Sequence, residues 1–205
     1  RDSVFAVKAS GDITLKAAGN YANNVCYVYR NGVFSVSQDN PDDAAKKIML
    51  PEDGTGLAYY AVYPYQYALI DHGTFEVKAD QRTHENITAS DFCTVKTSPS
   101  NDNNVYLKFW HRLSRVCIDI KGTGITTSTT VSMQLENVQY KASFDLNADT
   151  YVATGGNETI LMGEMSTKRF EAILPPQDFI VTSDLIVYID GKRYNVKPAG
   201  PRVIS

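Results

Sequence analysis

Val25-Cys26-Tyr27-Val28-Tyr29-Arg30, then Asn31-Gly32, then Val33-Phe34-Ser35-Val36-Ser37 sets two alternating apolar runs on either side of a tight-turn dipeptide. Both central residues of a type I′ turn need positive φ, which Asn and Gly tolerate. With those two as the loop, Tyr29 faces Phe34 and Tyr27 faces Val36 on one side of the ribbon. Val28 faces Ser35 and Cys26 faces Ser37 on the other. The register separates an aromatic face from a more polar one, as a hairpin with one side on a core requires.

The same pattern returns near the end of the chain. Leu185-Ile186-Val187-Tyr188-Ile189, Asp190-Gly191 and Lys192-Arg193-Tyr194-Asn195-Val196 pair Val187 with Tyr194 and Leu185 with Val196. Between the hairpins, short runs of period two occupy 59–63, 75–77, 105–113, 116–120, 131–135 and 140–146. Clusters of Gly, Asn, Asp, Ser and Pro punctuate them, which is the pattern of an all-β chain. A single short helix is expected over 41–49, with Asn40 as its cap, Pro41 in the first turn and Asp42 and Asp43 at the positive end.

The stretch 105–121 carries a change of phase. Val105, Leu107, Phe109, His111 and Leu113 share one parity, whereas Val116, Ile118 and Ile120 share the other. One residue is inserted near Ser114-Arg115, which predicts a β-bulge or a strand that changes sheets. Just before it, 97–104 is polar and rich in turn formers. This run is the expected boundary between an N-terminal domain, 1–97, and a C-terminal domain, 105–205.

Composition supports a folded chain and excludes several classes of function. The 205 residues are 43% hydrophobic and 21% charged, enough for a core in one large or two small domains. The net charge is -3, with nine basic and twelve acidic residues over 1–100 and eleven of each over 101–205. No basic excess exists to track phosphates, so no nucleic-acid partner is expected. The most apolar region, 58–70, is broken by Pro64 and Gln66, and falls short of the roughly 20 apolar residues that span a bilayer. No charged segment followed by an apolar one marks an export signal within the chain.

Catalytic and metal motifs are absent from the sequence. It has no H-E-x-x-H, no G-x-S-x-G, no phosphate-binding or dinucleotide-binding glycine loop and no EF-hand run. Cys26, Cys93 and Cys117 lie far apart, lack the close spacing of zinc or redox pairs, and read as free thiols. A Cys-His nucleophile pair, His84 with Cys93 or His111 with Cys117, is not positioned by any spacing. His111, in phase with Phe109 and Leu107, reads as a partly buried structural histidine. The pairs Asp42-Asp43 and Glu52-Asp53 fall in turn-like sequence and read as solvated loops. No enzyme activity, cofactor or metal is therefore expected. Tyr59, Tyr60, Tyr63, Tyr65 and Tyr67 crowd into nine residues, and serve either as core or as an aromatic platform for a sugar or protein partner.

Four segments in order carry a resemblance. Tyr60-Ala61-Val62-Tyr63-Pro64-Tyr65 comes first, followed by Asp80-Gln81 leading to Ala89-Ser90-Asp91-Phe92. Leu107-Lys108-Phe109-Trp110-His111-Arg112-Leu113-Ser114-Arg115-Val116 is next, and Ile173-Leu174-Pro175-Pro176-Gln177 is last. Together they resemble the fimbrillin-like family, the type V pilus and fimbria subunits of anaerobic Gram-negative bacteria.

The resemblance implies two tandem transthyretin-like β-sandwich domains with Greek-key type connections. It also implies export as a lipoprotein to the outer membrane, so that a lipid anchor on the precursor is the membrane contact. A surface protease then removes an N-terminal edge strand, and a strand of the next subunit fills the exposed groove. The expected partners are other fimbrial subunits, joined head to tail, and a host protein or glycan receptor. Val4, Phe5, Ala6, Val7, Ile13 and Leu15 are the candidates for exchanged strand residues, and Arg1 is adjacent to the processing point. Residues 197–205 hold two prolines and two basic residues, which departs from an apolar donor strand. A donor beyond residue 205, or a capping or anchoring role, follows from that departure. The alternative is a surface carbohydrate-binding or adhesin sandwich that does not polymerise, with 59–67 as its contact surface.

Overall fold

The computed structural model of the chain describes residues 2–8, 21–38, 47–66, 72–179, 184–196 and 202–204. Strands dominate, as the periodicity predicts. They fall into two compact units, each assembled from several stretches of chain.

The first unit takes Arg1–Gly73, Phe92–Arg112 and Asp145–Thr150. Its sheet strands are β1 (Asp2–Lys8), β2 (Ala22–Arg30), β3 (Val33–Val36), β4 (Leu57–Tyr63), β6 (Cys93–Lys96) and β7 (Trp110–His111); β5 (His72–Glu76), which follows β4 in sequence, joins a sheet of the second unit instead. They form one sheet in the order β3-β2-β1-β4-β6-β7. β4 is Leu-Ala-Tyr-Tyr-Ala-Val-Tyr, buried along its first six residues, because both of its faces are covered. Ala6, Leu57, Tyr59, Ala61 and Val95 form the core on one face, and Tyr27, Phe34, Ile48, Leu50, Leu107 and Phe109 pack against it. The hairpin registers as its turn dictates, with Tyr27 opposite Val36, Val28 opposite Ser35 and Tyr29 opposite Phe34. Asn31 and Gly32 take φ of 53° and 80°.

The second unit takes Thr74–Asp91, Leu113–Phe144 and Tyr151–Ser205. Among the described residues it holds the helix α1 (His84–Ser90) and strands β8 (Ser114–Asp119), β9 (Val131–Asp145), β10 (Thr150–Leu161), β11 (Gly163–Ser166), β12 (Arg169–Leu174), β13 (Gln177–Phe179), β14 (Asp184–Ile189), β15 (Lys192–Val196) and β16 (Arg202–Ile204). One sheet runs β10-β9-β14-β15 with β5 added on β9, a second runs β11-β12-β8, and β13 pairs with β16. The late hairpin again follows its turn, with Leu185 opposite Val196 and Val187 opposite Tyr194.

The tertiary structure decides several of these expectations. The phase slip is a change of sheet: β7 ends at His111 in the first unit and β8 starts at Ser114 in the second. Of the residues before β7, 107–109 keep the alternation of a strand, and 104–109 join no ladder among the described residues. Crossings between the two compact units fall at several places along the chain, because each unit completes its sheets with non-consecutive strands.

The runs 131–135 and 140–146 are not two strands. They merge into β9, where Asn137 at φ 57° shifts the buried parity from Val131, Met133 and Leu135 to Val138, Ala142 and Phe144. Residues 41–46 of the expected helix lie outside the described residues, and 47–50 are not helical. The described helix is α1, whose Thr83 cap accepts from the Asn86 N–H. Beyond its prolines, the C-terminal segment does join a ladder, with Asp178 opposite Val203.

Candidate functional site

The N-terminal strand β1 lies inside a sheet rather than at its edge. On one side Asp2, Ser3 and Val4 pair with Tyr27, Cys26 and Val25 of β2. On the other, Ser3 through Lys8 pair with Val62 back to Leu57 of β4. Val4, Phe5, Ala6 and Val7 thus sit in the middle of the first unit's sheet, and Ala6 is fully buried in its core. Arg1, Ile13, Leu15 and Tyr67 lie outside the described residues.

Within the first unit, Tyr29, Phe34, Val105, Leu107 and Phe109 line an open apolar groove of about 330 Å³. The hairpin supplies one wall. There Tyr29 is 68% exposed, while Phe34 stacks on Tyr27 with ring centroids 5.2 Å apart. Burial pushes the Tyr27 phenol up in pKa, against the opposing pull of the Ile48 N–H that donates to it. The segment 105–109 supplies the other wall. Leu107 and Phe109 turn toward the core while Tyr106 and Trp110 stay exposed, at 87% and 55%. This segment has the side-chain order of a strand and, among the described residues, no ladder partner.

Of the two roles open to the tyrosine cluster, its first two positions take the core one. Tyr59 and Tyr60 are 8% and 4% exposed, because β4 is covered on both faces. Tyr63 and Tyr65 are half-buried. Lys96 sets its ammonium 4.9 Å from the centre of the Tyr60 ring.

A pairing that spacing did not reveal is that of Cys93 with His111. The two residues are opposite one another on β6 and β7, and Cys93 Sγ lies 3.3 Å from His111 Nδ1. They are 18 residues apart in sequence, so only the strand register brings them together. Next to them, Arg112 donates from Nε to Thr94 Oγ1 at 2.6 Å and meets the Asp149 carboxylate at 2.9 Å.

The fimbrillin-like family model matches residues 3–201. The chain belongs to the fimbrillin-like family. No curated protein matches it. Solved structures share the fold of this fimbrillin-like chain. A Bacteroides ovatus protein assigned to cell adhesion superposes with a TM-score of 0.75 at 18% identity, covering 100% of this chain and 78% of the other. A Bacteroides uniformis protein, also assigned to cell adhesion, gives 0.67 at 18% identity, covering 98% and 88%. A fimbrial protein of Bacteroides ovatus gives 0.57 at 14% identity, covering 98% of this chain and 41% of that longer one.

Within the fimbrillin-like chain, several of the residues that carried the resemblance lie in the core. Gln81 is fully buried, Tyr60 and Val62 are core, and Ile173-Leu174 closes β12. Sequence reasoning missed the groove, because its walls come from segments more than 60 residues apart. The signal that pointed toward it was the alternation of 105–109 itself.

Proposed function

We propose that this fimbrillin-like chain is a structural, non-enzymatic subunit of a cell-surface fimbrium that assembles by protease-triggered strand exchange. The family is one of fimbrial proteins, which supports the coarser half of the reading. The observation that supports the finer half is the position of β1, a strand hydrogen-bonded to a neighbour on each side. A cut beside Arg1 leaves β1 on the chain, so the slot between β2 and β4 opens when β1 itself leaves it, and rows of backbone donors and acceptors then lose their partners. A strand from another subunit restores both ladders at once, which is β-augmentation in its most complete form. Because donor and slot are different surfaces, the contact is head to tail and grows a filament.

In this proposal Val4, Phe5, Ala6 and Val7 belong to the exchanged strand, with Ile13 and Leu15 downstream of it. The two units are read as the pair of transthyretin-like sandwiches, and subunits at a fibre tip add adhesion to a host protein or glycan. Export as a lipidated precursor to the outer membrane, and cleavage beside an arginine, complete the scheme.

The test begins with the full-length precursor, treated with an arginine-specific protease and followed by light scattering and negative-stain microscopy. Filaments are expected only after cleavage. A second arm places cysteines at Ser3 and Val62, which face one another across β1 and β4. Oxidised, this Ser3→Cys, Val62→Cys variant holds β1 in its own slot and is expected to stay monomeric until reduced. Filaments from the oxidised variant overturn strand exchange through this slot. A cleaved product that remains monomeric overturns polymerisation itself and leaves a non-polymerising surface adhesin, to be taken to a glycan array.

A further inference from the structure

We propose that Cys93 Sγ and His111 Nδ1 are two ligands of a site for a borderline divalent cation of the Zn2+ class. The two atoms lie 3.3 Å apart, held on facing residues of β6 and β7. A tetrahedral ion with sulfur at about 2.3 Å and nitrogen at about 2.0 Å sets those ligands roughly 3.5 Å apart, which the pair meets with a shift of tenths of an ångström. A linear ion with the same bond lengths requires about 4.3 Å, so the spacing favours tetrahedral coordination.

Thiolate and imidazole donors also select the ion. They suit Zn2+, whereas Mg2+ and Ca2+ take oxygen ligands. The neighbouring positive charge is already answered, since the Arg112 guanidinium is held by Asp149 and Thr94. Access is from the imidazole side: His111 is exposed, while Cys93 is only 5% exposed.

Binding forms a Zn–Sγ and a Zn–Nδ1 bond, breaks the thiol S–H bond and releases that proton to water. The imidazole stays neutral with its proton on Nε2, and water fills the remaining coordination positions. A site whose remaining positions are held by water exchanges its ion more readily than a closed structural one. Without metal the two side chains retain their sulfur–nitrogen hydrogen bond, so the fold does not depend on the ion.

The test uses the full chain with Zn2+ in calorimetry and Co2+ in absorption spectroscopy. One ion per chain is expected, with a thiolate-to-cobalt charge-transfer band in the near ultraviolet. Cys93→Ser and His111→Gln are each expected to lose that band, and Cys117→Ser, which alters an exposed thiol, to retain it. Should Cys93→Ser fail to fold, His111→Gln decides, because it changes an exposed side chain. No bound ion in the wild type, a band that survives in either ligand variant, or one lost in Cys117→Ser overturns the site.

Discussion

Gln81 and Ile173 are joined by a closed pair of hydrogen bonds. The Gln81 Nε2 donates to the Ile173 carbonyl at 2.9 Å, and the Ile173 N–H donates to Gln81 Oε1 at 2.8 Å. A side-chain amide here copies a strand rung on β12, two residues past Glu171, where the pairing with β11 ends. The same Nε2 reaches the Lys78 carbonyl at 3.0 Å, and Gln81 has no exposed surface. Removing it strands an N–H and carbonyls away from water, each costly to bury unpaired. Gln81→Leu is expected to destabilise the protein by about 3 kcal/mol. Urea unfolding measures the loss, and faster hydrogen exchange at the Ile173 amide locates it.

The same corner cannot accept a side chain at Gly163. A Cβ there would lie 2.5 Å from the Gln81 carbonyl oxygen and 3.3 Å from Arg82 Cα, both main-chain atoms. Backbone has no rotamer by which to yield, so Gly163→Ala is expected to cost about 1–3 kcal/mol. A lowered urea midpoint with an unchanged slope is the expected readout.

Glu171 supplies the pH dependence. It is 4% exposed and accepts from Arg115 Nε at 2.9 Å and from Arg169 Nε at 3.0 Å. Burial pushes its carboxyl up, and the two guanidiniums outweigh that and hold it below the usual carboxylate range. A carboxyl lowered in the folded state stabilises above its unfolded pKa and loses that contribution as pH falls through the folded one. Glu171→Gln is therefore expected to be less stable than the wild type at neutral pH, by about 1–3 kcal/mol. Below about pH 4 the gap narrows as the wild-type carboxylate protonates. Denaturant midpoints of both proteins across that range check it; a gap that is constant with pH contradicts the assignment.

Two glycines separate backbone strain from crowding. Neither Gly32 nor Gly156 has an atom within 4 Å of an added Cβ, and only Gly32 sits at positive φ, +80°. Gly32→Ala is expected to cost about 1 kcal/mol through the left-handed backbone alone. Gly156→Ala, in β10, is expected to be neutral or mildly stabilising because it reduces the freedom of the unfolded chain. Thermal melts of the pair give the contrast directly.

Features legible in the sequence are those set within a few residues. Asn31-Gly32 and Asp190-Gly191 dictated both hairpins and their registers, because a two-residue loop leaves only one pairing. The parity change in 105–121 announced a switch of sheet, since successive side chains of a strand must alternate faces. Less legible was β10, whose Gly155-Gly156-Asn157 reads as a turn, and which is held in strand form by pairing with β9. Helix α1 was also missed: its seven residues have little helical periodicity, and the Thr83 cap and packing against β11 and β12 stabilise it.

By itself, then, the sequence determined an all-β chain, its two tight hairpins, the strand that changes sheets and membership of a family through an ordered set of short motifs. Each of these depends on backbone preference or side-chain alternation, which act locally. Tertiary structure alone decided that β1 is an inner strand, that 105–109 walls a groove with Tyr29 and Phe34, and that Cys93 meets His111. Those outcomes depend on which distant strands become neighbours. That choice is made by burying apolar faces and satisfying backbone groups across the whole sheet, and it leaves no mark on the spacing of the residues it unites.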